Sequence, residues 1–192
     1  MGKISNHRPV FLIAAVTSRF KEAFDWGKQQ TKSEWGNIWE MSELFDFSET
    51  KYYEKSMGTN LSKQFWVFES LVDPADLPGF KIFSNQLEES FANDFESEVE
   101  RPLNIDPGYI TEAKLVLATT KDRDHRIYLD KGIYAEVTLF FNRGEWKTRP
   151  WTYPDYQRKD FQDFFTHCRS ELRERYRKMN QATLDESDYV DP

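Results

Sequence analysis

Residues 104–142 (NIDPGYITEAKLVLATTKDRDHRIYLDKGIYAEVTLFFN) constrain the fold more tightly than any other stretch of the chain. Ile133, Ala135, Val137, Leu139 and Phe141 alternate with Tyr134, Glu136, Thr138, Phe140 and Asn142. A period of two predicts a strand over 133–141. His125–Leu129 alternate in the same way, and Asp130-Lys131-Gly132 lies between the two runs. A three-residue loop ending in Gly suits a type I turn closed by a left-handed bulge, because only Gly takes that backbone without steric cost. This turn sets Leu129 against Ile133, Tyr128 against Tyr134, Ile127 against Ala135 and Arg126 against Glu136. One face is then Ile127, Leu129, Ile133, Ala135 and Val137, turned to the core. The other carries Arg126, Tyr128, Tyr134, Glu136 and Thr138.

That polar face has two readings. Ion pairs on sheets are common, so the ordinary one is a solvated surface with a cross-strand Arg–Glu pair worth under about 1 kcal/mol. The alternative is the floor of a ligand site, with Arg126 held by Glu136 and aimed at an anion.

The remaining elements follow from periodicity and punctuation. Val10–Val16 is apolar throughout, which predicts a strand covered on both faces. Ser18 is positioned to cap a helix over 19–32, and Gly36 ends it. A second strand is expected over 38–45, and a short turn bearing Tyr52 and Tyr53 precedes Gly58. Lys63–Val72 reads as a central third strand. Asp73-Pro74 opens a helix whose Phe80, Phe83, Leu87, Phe91 and Phe95 recur at helical spacing to about residue 97. Six acids over 85–100, among them Glu88, read as its solvated outer face. Asp106-Pro107-Gly108-Tyr109 is a turn signal, and 114–120 a strand. An edge strand over 145–148, a rigid aromatic loop over 149–156 and a helix over 157–179 complete the chain.

The order predicts an α+β fold with a mainly antiparallel sheet: a split βαβ, ferredoxin-like core with 114–120 as its sixth element, plus an added β-hairpin and a C-terminal helix. The helices are expected largely on one face. A flexible N-terminus over 1–8, a single domain over 9–180 and a disordered acidic tail over 181–192 are expected.

Charge and composition narrow the function classes. The 192-residue chain carries a formal charge of −7, which weighs against a dedicated nucleic-acid binder. Its one cysteine, Cys168, excludes an internal disulfide and fits a reducing cytoplasm. Val10–Val16 is too short to span a membrane.

Several segments resemble the bacterial and archaeal family DUF4416, a domain of unknown function. They are FDFSETKYYEKSMG, FESLVDP, the 104–139 block and PWTYPDY. The resemblance covers about residues 8–175 and implies no defined activity. Some members carry a GTP-binding label, but this chain has no G-x-x-x-x-G-K-[ST] loop to wrap phosphates.

The central block concentrates polar groups with chemical capacity. Asp106, His125 and Glu136 are candidates for moving protons. Asn104, Lys114, Lys121, Arg126, Tyr128 and Tyr134 are candidates for holding a ligand. Each has an ordinary alternative: Asp106 as a turn former, Lys114 as a snorkelling surface residue, His125 as a loop histidine bonded to Asp122 or Asp124. A lone central His argues against a zinc site, and no motif names a cofactor. Asp155 is either a helix cap or a neighbour of the site. Three functions compete: binding a small anion such as a nucleotide or phosphorylated metabolite, contacting RNA through Tyr128 and Tyr134, or engaging a protein partner through the aromatic loop. The clustering of basic, imidazole and carboxylate groups favours the first.

Overall fold

Strand β1 (Val10–Ser18) is buried at every position. It lies between β4 (Leu61–Val72) and β5 (Asn104–Ile110), antiparallel to both. In the computed structural model, which describes residues 2, 4, 6–49 and 53–187 and side chains as far as Gln181, one antiparallel sheet of nine strands organises the chain. Its order is β2 (Ile38–Met41), β4, β1, β5, β6 (Lys114–Thr119), β8 (Ile133–Asn142), β7 (Ile127–Asp130). Strand β3 (Phe45–Phe47) pairs with β4, and β9 (Glu145–Thr148) pairs with β8 beyond the end of β7. The place beside β1 expected for 114–120 is thus held by β5, and β6 comes one strand further out.

Helices cover both faces of this sheet, not chiefly one. Helices α1 (Lys21–Trp35) and α3 (Leu77–Asp94) pack Phe24, Trp35, Leu87 and Phe91 against Leu12, Ala14, Val16, Trp66 and Phe68. The long α4 (Lys159–Ser187) packs Phe161, Phe165, Cys168, Leu172 and Tyr176 against the opposite face, on Ile13, Phe65, Leu115, Leu117 and Leu139. The reason lies in β1 and β4. Their apolar residues occupy both faces, and each buried Phe or Leu contributes about 1.5–3 kcal/mol only if something covers it. A short α2 (Glu54–Met57) sits between β3 and β4.

Local differences from expectation have local causes. Ser18 does not cap α1: its hydroxyl accepts from Phe20 N–H and donates to the Pro102 carbonyl. The expected turn bearing Tyr52 lies partly outside the described residues. Helix α4 continues past 179 because 180–187 contains no Gly or Pro to stop it. Residues 188–192 of the expected tail lie outside the described residues.

The 127–142 hairpin forms with one rearrangement. Ile127 opposes Ala135 and Tyr128 opposes Tyr134, as the pattern requires. The loop has two residues, however, since Asp130 pairs with Ile133 and both Lys131 (φ 51) and Gly132 (φ 78) are left-handed. That is the signature of a type I′ turn. The extra residue is taken up in the strand at Leu129, so the register of 127 and 128 survives. Ile127 and Leu129 are 70% and 39% exposed, because β7 is an edge strand with no layer over it. Only Ile133, Ala135 and Val137 reach the core, against Leu77 and Val116.

Asp106-Pro107-Gly108-Tyr109 is strand, not turn. Strands β5 and β6 pair only at Gly108–Ile110 with Leu115–Leu117. There the backbones approach so closely that a Cβ on Gly108 would lie 2.2 Å from the Val116 carbonyl oxygen. Before Gly108 the two strands part. Residues 104–107 stay with β1, while Ala118 and Thr119 stay with β8. Pro107 has no N–H to offer a ladder. The sheet therefore opens between Asn104–Pro107 and Ala118–Thr119.

Candidate functional site

This opening is the mouth of a cleft of about 500 Å³, within the range of small-molecule sites. Its lining comes from both sheet faces: Lys81 and Asn85 from α3, and Phe47, Lys63, Asp155 and Tyr156 from the α4 side. Six cationic side chains line it (Lys63, Lys81, Arg101, Lys121, Arg123, Arg126) against three carboxylates (Asp106, Glu136, Asp155). The lining residues carry an excess of three positive charges, reduced to two by Glu88 directly behind Arg101, on a chain whose formal charge is −7.

One wall is built on β8. Arg126 Nε donates to Glu136 Oε2 at 2.8 Å, and the two side chains are only 6% and 2% exposed. The solvated Arg–Glu pair of the ordinary reading is therefore a desolvated one. Arg126 is held by three partners, since its other nitrogens donate to the Lys121 carbonyl and the Tyr153 hydroxyl, each at 2.9 Å. His125 places Nε2 3.3 Å from the same Glu136 Oε2, and its ring stacks on Trp151. Its Nδ1 faces Asp124, as the loop-histidine reading expects. Glu136 Oε1 is buried and has no hydrogen-bond partner among the described residues.

The facing wall is built on β5. Asp106 accepts from Lys81 Nζ (2.9 Å) on Oδ1 and from Asn104 Nδ2 (2.8 Å) on Oδ2. Burial pushes the Asp106 carboxyl up. Lys81, the Asn104 hydrogen bond and Arg101 outweigh that and lower it to about 2. Behind it, Glu88 accepts from Arg101 Nη2 at 2.7 Å and from the Ile105 N–H at 2.8 Å, with Lys81 3.9 Å away. Burial raises the Glu88 carboxyl despite these cations. Glu88 is 9% exposed, so it is not part of a solvated acidic face; its helix position turns it inward with Lys81 and Ser84. A fourth ion pair, Lys63–Asp155, closes the floor, with the lysine over the rings of Phe47 and Tyr156. Asp155 is thus a buried partner in the cleft rather than the cap of α4.

Of the residues singled out from sequence, Asn104, Asp106, Lys121, Arg126 and Glu136 line the cleft together. His125 stands behind Glu136. Lys114 lies at the far end of β6, opposite Phe140. Tyr128 and Tyr134 pack edge to face against each other on the outer hairpin, at 5.4 Å and 71°. These three are not in the lining. Sequence reasoning missed Lys63, Lys81, Arg101, Arg123 and Tyr53. The available signal was Lys81-Ser84-Glu88, a polar stripe at helical spacing in line with the buried Leu77.

Among the described residues, no group of three or more His, Cys, Asp or Glu is placed to hold a metal ion. None of their helices is long and apolar enough to cross a membrane. Cys168 is buried in the α4 core, where burial pushes its thiol up.

Compared with known proteins, the chain matches the family model described as Domain of unknown function (DUF4416) over residues 8–172. No curated protein and no solved structure matches it.

Proposed function

This chain belongs to the DUF4416 family, and we propose that it binds a small anion, such as a nucleotide or a phosphorylated metabolite, in the cleft between β5 and β6. The observation that carries the proposal is the cationic excess of the lining in an acidic chain. A concave site walled by low-dielectric protein focuses such a field and raises the local concentration of anions. Lys121 and Arg123, on the loop after β6, stand at the exposed rim where an incoming anion meets them first.

The scaffold is read as a ferredoxin-like split βαβ unit. Strand order β2-β4-β1-β5, with α1 and α3 on one face, supports this. The added strands β6–β9 supply the second wall of the cleft. The single buried cysteine fits a cytoplasmic setting.

The test is isothermal titration with phosphate, pyrophosphate, nucleotides and sugar phosphates, on the wild type and Arg123→Ala. Arg123 is exposed, so its removal spares the fold. At least one phosphate compound is expected to bind, about ten-fold more weakly to the variant, as for loss of one charge-assisted hydrogen bond. Absence of binding by every compound, or equal affinity of variant and wild type, overturns the proposal.

A further inference from the structure

We infer that the ligand is a polyhydroxylated phosphate monoester, a sugar phosphate rather than a nucleotide, with hydroxyls on Asp106 and the phosphate at Arg123. This rests on the anion-binding reading above and goes on to name the class of anion.

The cleft is bipolar. Each of its three carboxylates is paired with a cation: Lys81 with Asp106, Arg126 with Glu136, Lys63 with Asp155. Asp106, lowered to about 2, is ionised throughout the physiological range. An ionised carboxylate only accepts hydrogen bonds. Asp106 keeps 32% of its side chain exposed, and each of its oxygens takes one protein donor, Lys81 or Asn104. A carboxylate offers about four acceptor positions, so capacity remains toward the cleft. A phosphate cannot take that place, because two anions would face each other. A hydroxyl can, because it brings a proton. At the rim, the Arg123 guanidinium makes no ion pair among the described residues, so its five donors are available to phosphate oxygens. The ligand must therefore carry an anion at one end and neutral donors at the other.

Aromatic geometry separates a sugar from a base. Phe47 has Lys63 Nζ 4.0 Å over its ring and Tyr53 leaning on it at 5.7 Å. Tyr156 has Lys63 on its ring and Phe165 stacked at 10°. Tyr153 alone of these is exposed, and its hydroxyl is held by Arg126. Among the described residues the cleft therefore shows no pair of open aromatic faces to sandwich a nucleobase, while its acceptors suit hydroxyls.

The experiment is calorimetric titration of the wild-type protein with matched compounds. Glycerol 3-phosphate is set against n-propyl phosphate, which differs by two hydroxyls. Ribose 5-phosphate is set against GMP and inorganic phosphate. Glycerol 3-phosphate is expected to bind about ten-fold more tightly than n-propyl phosphate, the effect of one hydrogen bond to a charged group. Ribose 5-phosphate is expected to exceed both GMP and inorganic phosphate. In Asp106→Asn, the ratio between glycerol 3-phosphate and n-propyl phosphate should fall toward one. The ligand comparison on wild type stands even if that variant fails to fold. If phosphate compounds bind but the hydroxyls make no difference, or GMP binds as tightly as ribose 5-phosphate, the sugar-phosphate assignment falls and the anion site stands. If no phosphate compound binds, both fall.

Discussion

The two walls of the cleft solve the same electrostatic problem in different ways. On the β8 wall, one carboxylate is held by Arg126 and His125, and its Oε1 has no partner among the described residues. On the β5 wall, two carboxylates share two cations, and Asp106 and Glu88 each receive more than one donor. The first wall is a short local device of a hairpin. The second is a network drawn from α3, the segment at Arg101 and β5. A network spreads the loss of a member, whereas an isolated desolvated pair does not. The difference in redundancy should appear as a difference in fragility.

The largest effect is expected from Arg126→Ala. It leaves the buried Glu136 without its main counter-ion and should cost about 3–5 kcal/mol in urea unfolding. Replacing Arg126 and Glu136 together by Ala and Leu should cost less than Arg126→Ala alone, because no buried charge is then left uncompensated. A double variant as unstable as the single one would contradict this account of the wall.

Gly108→Ala acts on the junction between the walls. Its Cβ would meet a backbone oxygen at 2.2 Å, which no rotamer can relieve. A loss of about 2–3 kcal/mol is expected, as for overpacking in a close-packed interior. An unchanged melting temperature would mean that β5 and β6 do not approach as described.

Arg101→Ala tests the redundancy of the β5 wall. Lys81 and the Ile105 N–H remain beside Glu88, so the loss should be about 1–2 kcal/mol. A cost equal to that of Arg126→Ala would erase the contrast between the walls.

The smallest effect is a pH dependence. The folded pKa of Asp106 is depressed, from 3.8 to about 2. Its contribution is therefore present above the unfolded value and is lost as pH falls through about 2. It amounts to at most about 2 kcal/mol, reduced by solvent at a side chain that is one-third exposed. Stability measured from pH 5 to pH 2 should fall less steeply in Asp106→Asn than in the wild type. Parallel curves would show that Asp106 has no special charge environment.

The same contrast explains what was legible in the chain. The β8 wall could be read because Arg126 and Glu136 are ten positions apart in an alternating hairpin, so register alone brings them together. That register survived a change of turn type because the displaced residue was absorbed at Leu129. The β5 wall could not be read this way. Lys81 reaches Asp106 across 25 positions, and Lys63 reaches Asp155 across 92. Local pattern carries no information on such pairings. Asp-Pro-Gly-Tyr misled for a related reason. The residues that favour a turn also serve where a strand must end its pairing and let a neighbouring backbone come close. The burial of β1 was legible, since its run is apolar on both faces, but which helix covers which face depended on the order of strands.

The most direct test of the cleft is a ¹H–¹⁵N correlation spectrum of the full chain titrated with ribose 5-phosphate. The account predicts saturable shifts confined to amides near 104–108, 117–126, 136 and 153–156, on both walls at once. A spectrum that stays unchanged, or shifts that gather on the outer hairpin at Tyr128 and Tyr134 instead, would contradict it.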